Sequence, residues 1–147
     1  MVGVPVVRSA PTRDLSAEVL YALMRLRQDV FVLEQECLYP DLDGRDLEPG
    51  TVQWWAEDGV GAVVATLRAL DDGEGVVRVG RVATARDARG AGVARQLVLG
   101  VLAATRGPVV LDAQSHLEHW YERLGFARDG AEFLDDGIPH VPMRLAR

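Results

Sequence analysis

Lysine is absent from this 147-residue chain, and all sixteen basic residues are arginine. That absence removes whole chemistries. A Walker-type phosphate loop needs its lysine, and Schiff-base catalysis, including attachment of pyridoxal phosphate, needs a lysine amine. Cysteine is nearly absent. Cys37 stands alone, so no intrachain disulfide can form and nothing points to an oxidising compartment. A thiol hydrolase built on Cys37 and His116 has no supporting motif. Long apolar runs are missing as well. No stretch approaches membrane-spanning length, and Met1 to Ala10 carries Arg8 but no signal-type apolar core. Positive charge is in deficit, with a formal net charge of −6, which is a poor basis for nonspecific nucleic-acid binding. The expectation is a cytoplasmic protein with neither a nucleic-acid nor a membrane partner.

What remains is ordinary globular composition, 48% hydrophobic and 26% charged. A chain of this size can bury an adequate core without disulfides or metals, so residues 1–147 are read as a single domain. Val4 to Arg8 suits a short first strand. Ser16 is a good N-cap with Glu18 in the first turn. Val19, Leu20, Leu23, Met24, Leu26, Val30 and Phe31 recur at helical spacing, which predicts one amphipathic helix from Ala17 to about Leu33. Glu34 to Gly50 holds Pro40, Gly44 and Pro49 among several acids and reads as irregular.

Three extended segments follow: Thr51–Glu57, Val60–Leu70 and Val76–Thr84. Asp58-Gly59 and Asp71-Asp72-Gly73 between them are turn signals, so an antiparallel meander is expected. A helix is expected from about Ala91 to Thr105, broken by Gly107-Pro108. Val109–Leu111 is a short buried strand. Ser115 and Glu118 have capping-box spacing for another helix, which Gly125 would end. Phe126–Arg128 and Val141–Leu145 supply two last strands around a turn at Asp135-Asp136-Gly137. Trp54 and Trp55 alternate across a strand, so one should face the core and the other the acceptor side or a partner. The fold class is α+β with one crossover in the middle.

The informative segment is Arg81 to Ala94. A strand enters a loop with Gly90 and Gly92, and a helix starts there. Glycines let a ligand approach the backbone, and a helix N-terminus offers unpaired N–H groups and partial positive charge. Five arginines and one aspartate lie between Arg78 and Arg95, a basic patch in an acidic chain. The combination suits a pyrophosphate; the alternative is a tight strand-to-helix turn with solvated arginines. A dinucleotide-binding fold is disfavoured, since Arg95 stands at the third glycine position and the preceding segments look antiparallel.

Arg89-x-x-Gly92-x-Ala94 resembles the signature of the GNAT (Gcn5-related N-acetyltransferase) superfamily. His119-Trp120-Tyr121-Glu122-Arg123-Leu124-Gly125-Phe126 resembles a second element of that superfamily. Leu26-Arg27-x-x-Val30-Phe31-Val32-x-Glu34-Gln35, Tyr39-x-Asp41-x-Asp43-Gly44-x-Asp46, Ala113-Gln114-x-His116-Leu117 and Asp136-Gly137-Ile138-Pro139-His140 resemble its ElaA-like branch. The resemblance implies a mostly antiparallel central sheet of about 6–7 strands with helices on both faces. It implies acetyl-CoA as cosubstrate and no metal. The backbone of Arg89, Gly90, Ala91, Gly92, Val93 and Ala94 would hold the pyrophosphate. Val82 and Thr84 would pair with the pantetheine arm, and Gln114 would contact it in place of the usual asparagine.

Acetyl transfer to an amine needs a base for the amine, a stabiliser for the oxyanion and a proton for the departing thiolate. By superfamily position Tyr121 is the acid; its alternative role is packing and ordering the sulfur. An N–H near Val82 or Ala83 is expected at the oxyanion, where the strand must splay from its neighbour. Glu34 is the first candidate base, with His116 and His140 as alternatives. Gln35, Tyr39, Asp41, His116 and His140 are candidates for the acceptor site. Asp41, Asp43 and Asp46 resemble a calcium-binding string, but the spacing is wrong, so turn formation and attraction of a cationic acceptor are expected instead. The acceptor is a small-molecule or peptide amine, and exposed edge strands with the tryptophan pair make a homodimer reasonable. A catalytically inactive acyl-CoA sensor of the same fold is the competing reading.

Overall fold

The computed structural model describes residues 3–147; the first two residues of the expected domain lie outside the described residues. One eight-stranded sheet runs through the chain, in the order β1-β2-β3-β4-β5-β8-β6, with β7 on β8. The strands are β1 (Val6–Pro11), β2 (Val52–Glu57), β3 (Val63–Asp71), β4 (Val77–Thr84), β5 (Val109–Gln114), β6 (Ala127–Arg128), β7 (Phe133–Asp135) and β8 (Ile138–Leu145). The helices are α1 (Ala17–Arg27), α2 (Val93–Ala104) and α3 (Glu118–Glu122). All pairings are antiparallel except β4 with β5.

The sheet separates two apolar layers. On one face Leu97, Val98 and Val101 of α2 are fully buried against Ala65, Leu67 and Ala69 of β3. Each such aliphatic side chain contributes about 1.5–3 kcal/mol by leaving water. The alternate residues of β3 look the other way, and there Leu26, Val30 and Phe31 pack over Ala83. Trp54 packs on Gly100 of α2, where a Cβ would stand 2.6 Å from the indole. Trp55 is buried, and its Nε1 donates to Glu57 Oε1 at 3.0 Å. Both rings are therefore spent within the fold, and neither faces an acceptor.

Ser16 caps α1 as its identity predicts, its Oγ accepting from Val19 N–H at 3.2 Å. The helix does not continue unchanged to Leu33. From Gln28 to Glu34 it widens to a π-helix, with Gln35 N–H bonded to Val30 O and Cys37 N–H to Val32 O, each five residues back. Side-chain periodicity near 3.6 cannot register one inserted residue, and such widened turns are frequent at functional sites. The capping box at Ser115 is not formed. Ser115 to Leu117 is a 3-10 turn, Ser115 Oγ is buried without a partner, and Glu118 pairs with Arg128 at 2.8 and 2.9 Å instead. The final strand begins at Ile138 rather than Val141. Asp136 and Gly137, both at positive φ, turn β7 tightly into β8.

The acidic loop is part of the interior. Arg27, only 1% exposed, donates from Nε to Asp41 Oδ2 at 3.0 Å and from Nη1 to Asp46 Oδ1 at 2.6 Å. Arg68 grips Asp43 with both Nη atoms at 2.8 Å and reaches Asp46 at 3.2 Å. Arg81 Nε lies 2.8 Å from Asp41 Oδ1, and its Nη2 donates to Asp41 O at 3.0 Å. Gln53 adds a 2.9 Å bond to Asp46. Asp41, Asp43 and Asp46 are thus consumed by three arginines, which corrects the expectation that they attract a cationic acceptor. In particular, Asp41 is not an acceptor-site carboxylate; it is 7% exposed and ion-paired on both sides.

Removing one partner from this network strands the others in the interior. Arg27→Leu should lower stability by about 3–5 kcal/mol, read as a fall in the urea midpoint. The network also sets a pH dependence. Hydrogen bonds from Arg68 hold the Asp43 carboxyl far below its ordinary range. Burial opposes ionisation of Asp46, but hydrogen bonding and charge from Arg27 outweigh it, and its pKa too is lowered. Stability from both is full above the ordinary carboxylate pKa of about 3.9 and drains as pH falls through the depressed folded-state values. The urea midpoint should fall steeply below about pH 4. Asp43→Asn should flatten that fall, and an identical acid profile would count against it.

Candidate active site

A cleft of about 910 Å³ opens where β4 and β5 part. The two strands pair at only Val77↔Val109 and Arg78↔Val110. Beyond that point β5 continues against β8, and the outer edge of β4 from Gly80 to Thr84 has no strand beside it. The divergence starts at a bulge opposite Thr66–Arg68. Arg81, at φ 52, supplies the bend. A non-glycine residue in that region is strained, and the Arg81 side chain is held by Asp41, Asp43 and the Tyr39 ring, 5.4 Å beneath its guanidinium.

Backbone direction along β4 follows from one bond. Ala85 N–H donates to Val64 O of β3 at 2.8 Å. Alternation then turns the amide of Ala83 towards β3 and that of Thr84 towards the cleft, with Val82 two residues before it also on the open side. The loop after β4 is a 3-10 turn at Arg86–Ala88, followed by Gly90 and Gly92 at φ 85 and 77. Gly92 starts α2 without a side-chain cap, and the first helical bond runs from Gln96 N–H to Gly92 O. The amides of Val93 and Ala94 belong to the open helix end. Arg89, Gly90, Gly92, Val93 and Ala94 all line the cleft, beside Val82, Ala83 and Thr84. This arrangement fits a pyrophosphate at the helix end with an extended arm along β4.

The side chains divide between the two faces of the sheet. Tyr121 projects from α3 on the α2 side, 5% exposed, edge-on to Trp120 at 4.8 Å and to Phe126 at 5.9 Å. Burial alone raises its phenol above the usual tyrosine value. Gln114 lies on the α1 side, since its neighbour Ala113 faces the α2 core. It exchanges long hydrogen bonds with Gln35, at 3.4 and 3.5 Å, from the end of the π-helix. His140 is the cross-strand partner of Gln114, with its Nδ1 2.7 Å from Ile138 O and its ring stacked on Phe133. His116 lines the cleft but is exposed. The Tyr39 hydroxyl donates to Asp41 at 3.1 Å, and burial, reinforced by that carboxylate, pushes its phenol far up.

Glu34 is not a free base. Its two oxygens accept from Arg89 Nη1 at 2.7 Å and Nη2 at 2.8 Å. That hydrogen bonding outweighs burial and lowers its pKa. Arg89 also donates to Thr84 O from Nε and Nη2, at 3.1 and 3.0 Å. One guanidinium therefore joins the π-helix to the open edge of β4. The motif at Arg89 points to its backbone and gives no sign of this side-chain role. Nor does local pattern assign Arg68 and Arg81 as the anchors of the bulge; an arginine inside the apolar run of β3 is the signal it offers. No group of three or more metal-ligating side chains occurs among the described residues.

Residues 27–147 match the family model described as Acetyltransferase (GNAT) domain. The chain belongs to the GNAT acetyltransferase family. A UPF0039 protein from Mycobacterium tuberculosis is 50% identical over 141 residues, 93% of this chain and 90% of that one. A crystal structure of an acyl-CoA N-acyltransferase from Pseudomonas aeruginosa superposes with TM-score 0.88 at 39% identity, covering 97% of this chain and 100% of the other. Escherichia coli ElaA superposes equally well, at 0.88 and 34% identity, covering 96% and 99%. This GNAT chain is thus similar to ElaA in sequence and in fold.

If Arg89 is the cause of the low Glu34 pKa, Arg89→Leu should return the carboxyl towards the ordinary glutamate value of about 4.3. Carbon-detected NMR titration of the Glu34 carboxyl would show it, and an unmoved midpoint would refute the assignment.

Proposed function

We propose that the chain transfers an acetyl group from acetyl-CoA to a primary amine, by direct attack within a ternary complex. The observation that carries this reading is the unpaired edge of β4 leading, through the loop of residues 85–92, to the uncapped N-terminus of α2. A strand edge can hold the amide-bearing pantetheine arm, and the helix end its pyrophosphate. Amides from Arg89 to Ala94 take the phosphates, and those of Val82 and Thr84 take the arm. The reactive thioester then lies in the gap between the strands, where the Val82 N–H can meet the developing oxyanion.

Tyr121 is the proton donor to the departing sulfur. Its buried phenol stays protonated at neutral pH, as a donor must. Burial also raises the pKa of a thiol, so both partners shift in the same direction and the transfer remains feasible. The acceptor, a small-molecule or peptide amine, enters from the α1 face, past Gln35 and Gln114. Their mutual hydrogen bonds are long enough to be exchanged for a ligand. No helix among the described residues is long and apolar enough to cross a membrane. We place the reaction in the cytoplasm.

Calorimetry with coenzyme A and thiol release across a panel of amines test the reading; absence of coenzyme A binding would remove it. Tyr121→Phe separates an enzyme from a sensor. We expect kcat to fall by about 10²-fold or more with coenzyme A affinity little changed. Turnover insensitive to the substitution would take the acid role from Tyr121.

A further inference from the structure

We infer that the base for the acceptor amine is Nε2 of His140, held with its lone pair free by the backbone of its own strand. The inference rests on the proposed acetyl transfer. His140 Nδ1 is 2.7 Å from Ile138 O. A carbonyl oxygen can only accept, so Nδ1 carries the hydrogen. A neutral imidazole has one N–H, which leaves Nε2 with the basic lone pair. Phe133, the register partner of His140 on β7, stacks on the ring at 5.9 Å with 26° between the planes. The β7–β8 hairpin therefore restrains both the tautomer and the plane of the ring.

Placement supports the same role. Val141, next along β8, is fully buried, and its cross-strand partner Ala113 belongs to the α2-side core. His140 and Gln114 accordingly share the α1 side, where the acceptor would enter, across the strand gap from Tyr121. The other titratable groups there are engaged or differently placed. Glu34 is held by Arg89. Asp41 and Asp43 are held by Arg27, Arg68 and Arg81, and the Tyr39 phenol donates to Asp41. Cys37 Sγ lies on Asp136 O at 3.6 Å. His116, Glu36, Asp135 and Asp136 are exposed to solvent.

The proton balance closes without another reactant. The acceptor ammonium gives one proton to Nε2, and its nitrogen forms the bond to the thioester carbon. The carbon–sulfur bond breaks, and the sulfur takes the Tyr121 proton. The second nitrogen proton, released as the amide forms, restores the phenol through solvent. The imidazolium returns its proton to solvent, so one proton leaves per turnover.

Two measurements test this. Long-range ¹H–¹⁵N NMR of the whole chain, with the His140 signal identified by its loss in His140→Gln, should show neutral His140 protonated at Nδ1. Protonation at Nε2 overturns the inference and needs no turnover to detect. In kinetics with any accepted amine, His140→Ala should lose about 10²-fold in kcat with coenzyme A affinity and melting temperature preserved. Added imidazole should restore part of the rate. His140→Asn, which can keep a donor to Ile138 O but has no base, should be equally slow. Wild-type kcat in His140→Ala overturns the base alone. Failure of the wild-type chain to acetylate any amine overturns the reaction and the base together.

Discussion

The Arg27 guanidinium is almost wholly withdrawn from water, and such a charge persists only where its hydrogen bonds are answered. Asp41 and Asp46 answer them, and through these acids the loop after the π-helix is tied to the sheet. Arg68 and Arg81 continue the chain of pairs onto β3 and β4. The consequence is mechanical. Arg81 sits at the bulge where β4 turns away from β5, in a backbone conformation that costs energy for a side-chain-bearing residue. Its ion pairs offset that cost. The cleft thus depends on a charge network, three of whose members, Asp43, Arg68 and Arg81, also line it.

The parted strands make the sheet itself the divider of the site. Tyr121 approaches from the α2 and α3 layer, whereas Gln35, Gln114 and His140 lie on the α1 side. A thioester in the gap could be met from both faces at once, acid on one and acceptor on the other. Arg89 bridges the two regions. It binds Glu34 at the end of the π-helix and Thr84 O on the open edge, so the wall of the acceptor side is fastened to the strand proposed to carry the cosubstrate. This explains why a motif position proposed to act through its backbone also keeps a long charged side chain.

Much of this architecture was readable from local pattern. Ser16 before an apolar periodic run, the glycines at 90 and 92 after a strand, and the turn residues between the meander strands each act within a few positions of themselves. The π-helix was not readable, because a single inserted residue barely alters periodicity. The capping box at Ser115 and Glu118 failed for a different reason. Arg128, outside the helix on β6 but adjacent in space, offers Glu118 a better partner than a backbone amide. The arginine partners of Glu34 and Asp41 were unreadable likewise, since sequence shows that an acid is present and not which arginine reaches it.

The sequence by itself determined the order of strands and helices as far as β6, though not the β7–β8 hairpin, together with the open glycine turn before α2 and the family, because these follow from residue type and short spacing. Tertiary structure alone decided which charges are free to do chemistry. Arg27 with Asp46, Arg89 with Glu34 and Phe133 over His140 all meet through chain reversals. The energy of a charge in a low-dielectric interior depends on neighbours within a few ångströms, whatever their separation along the chain.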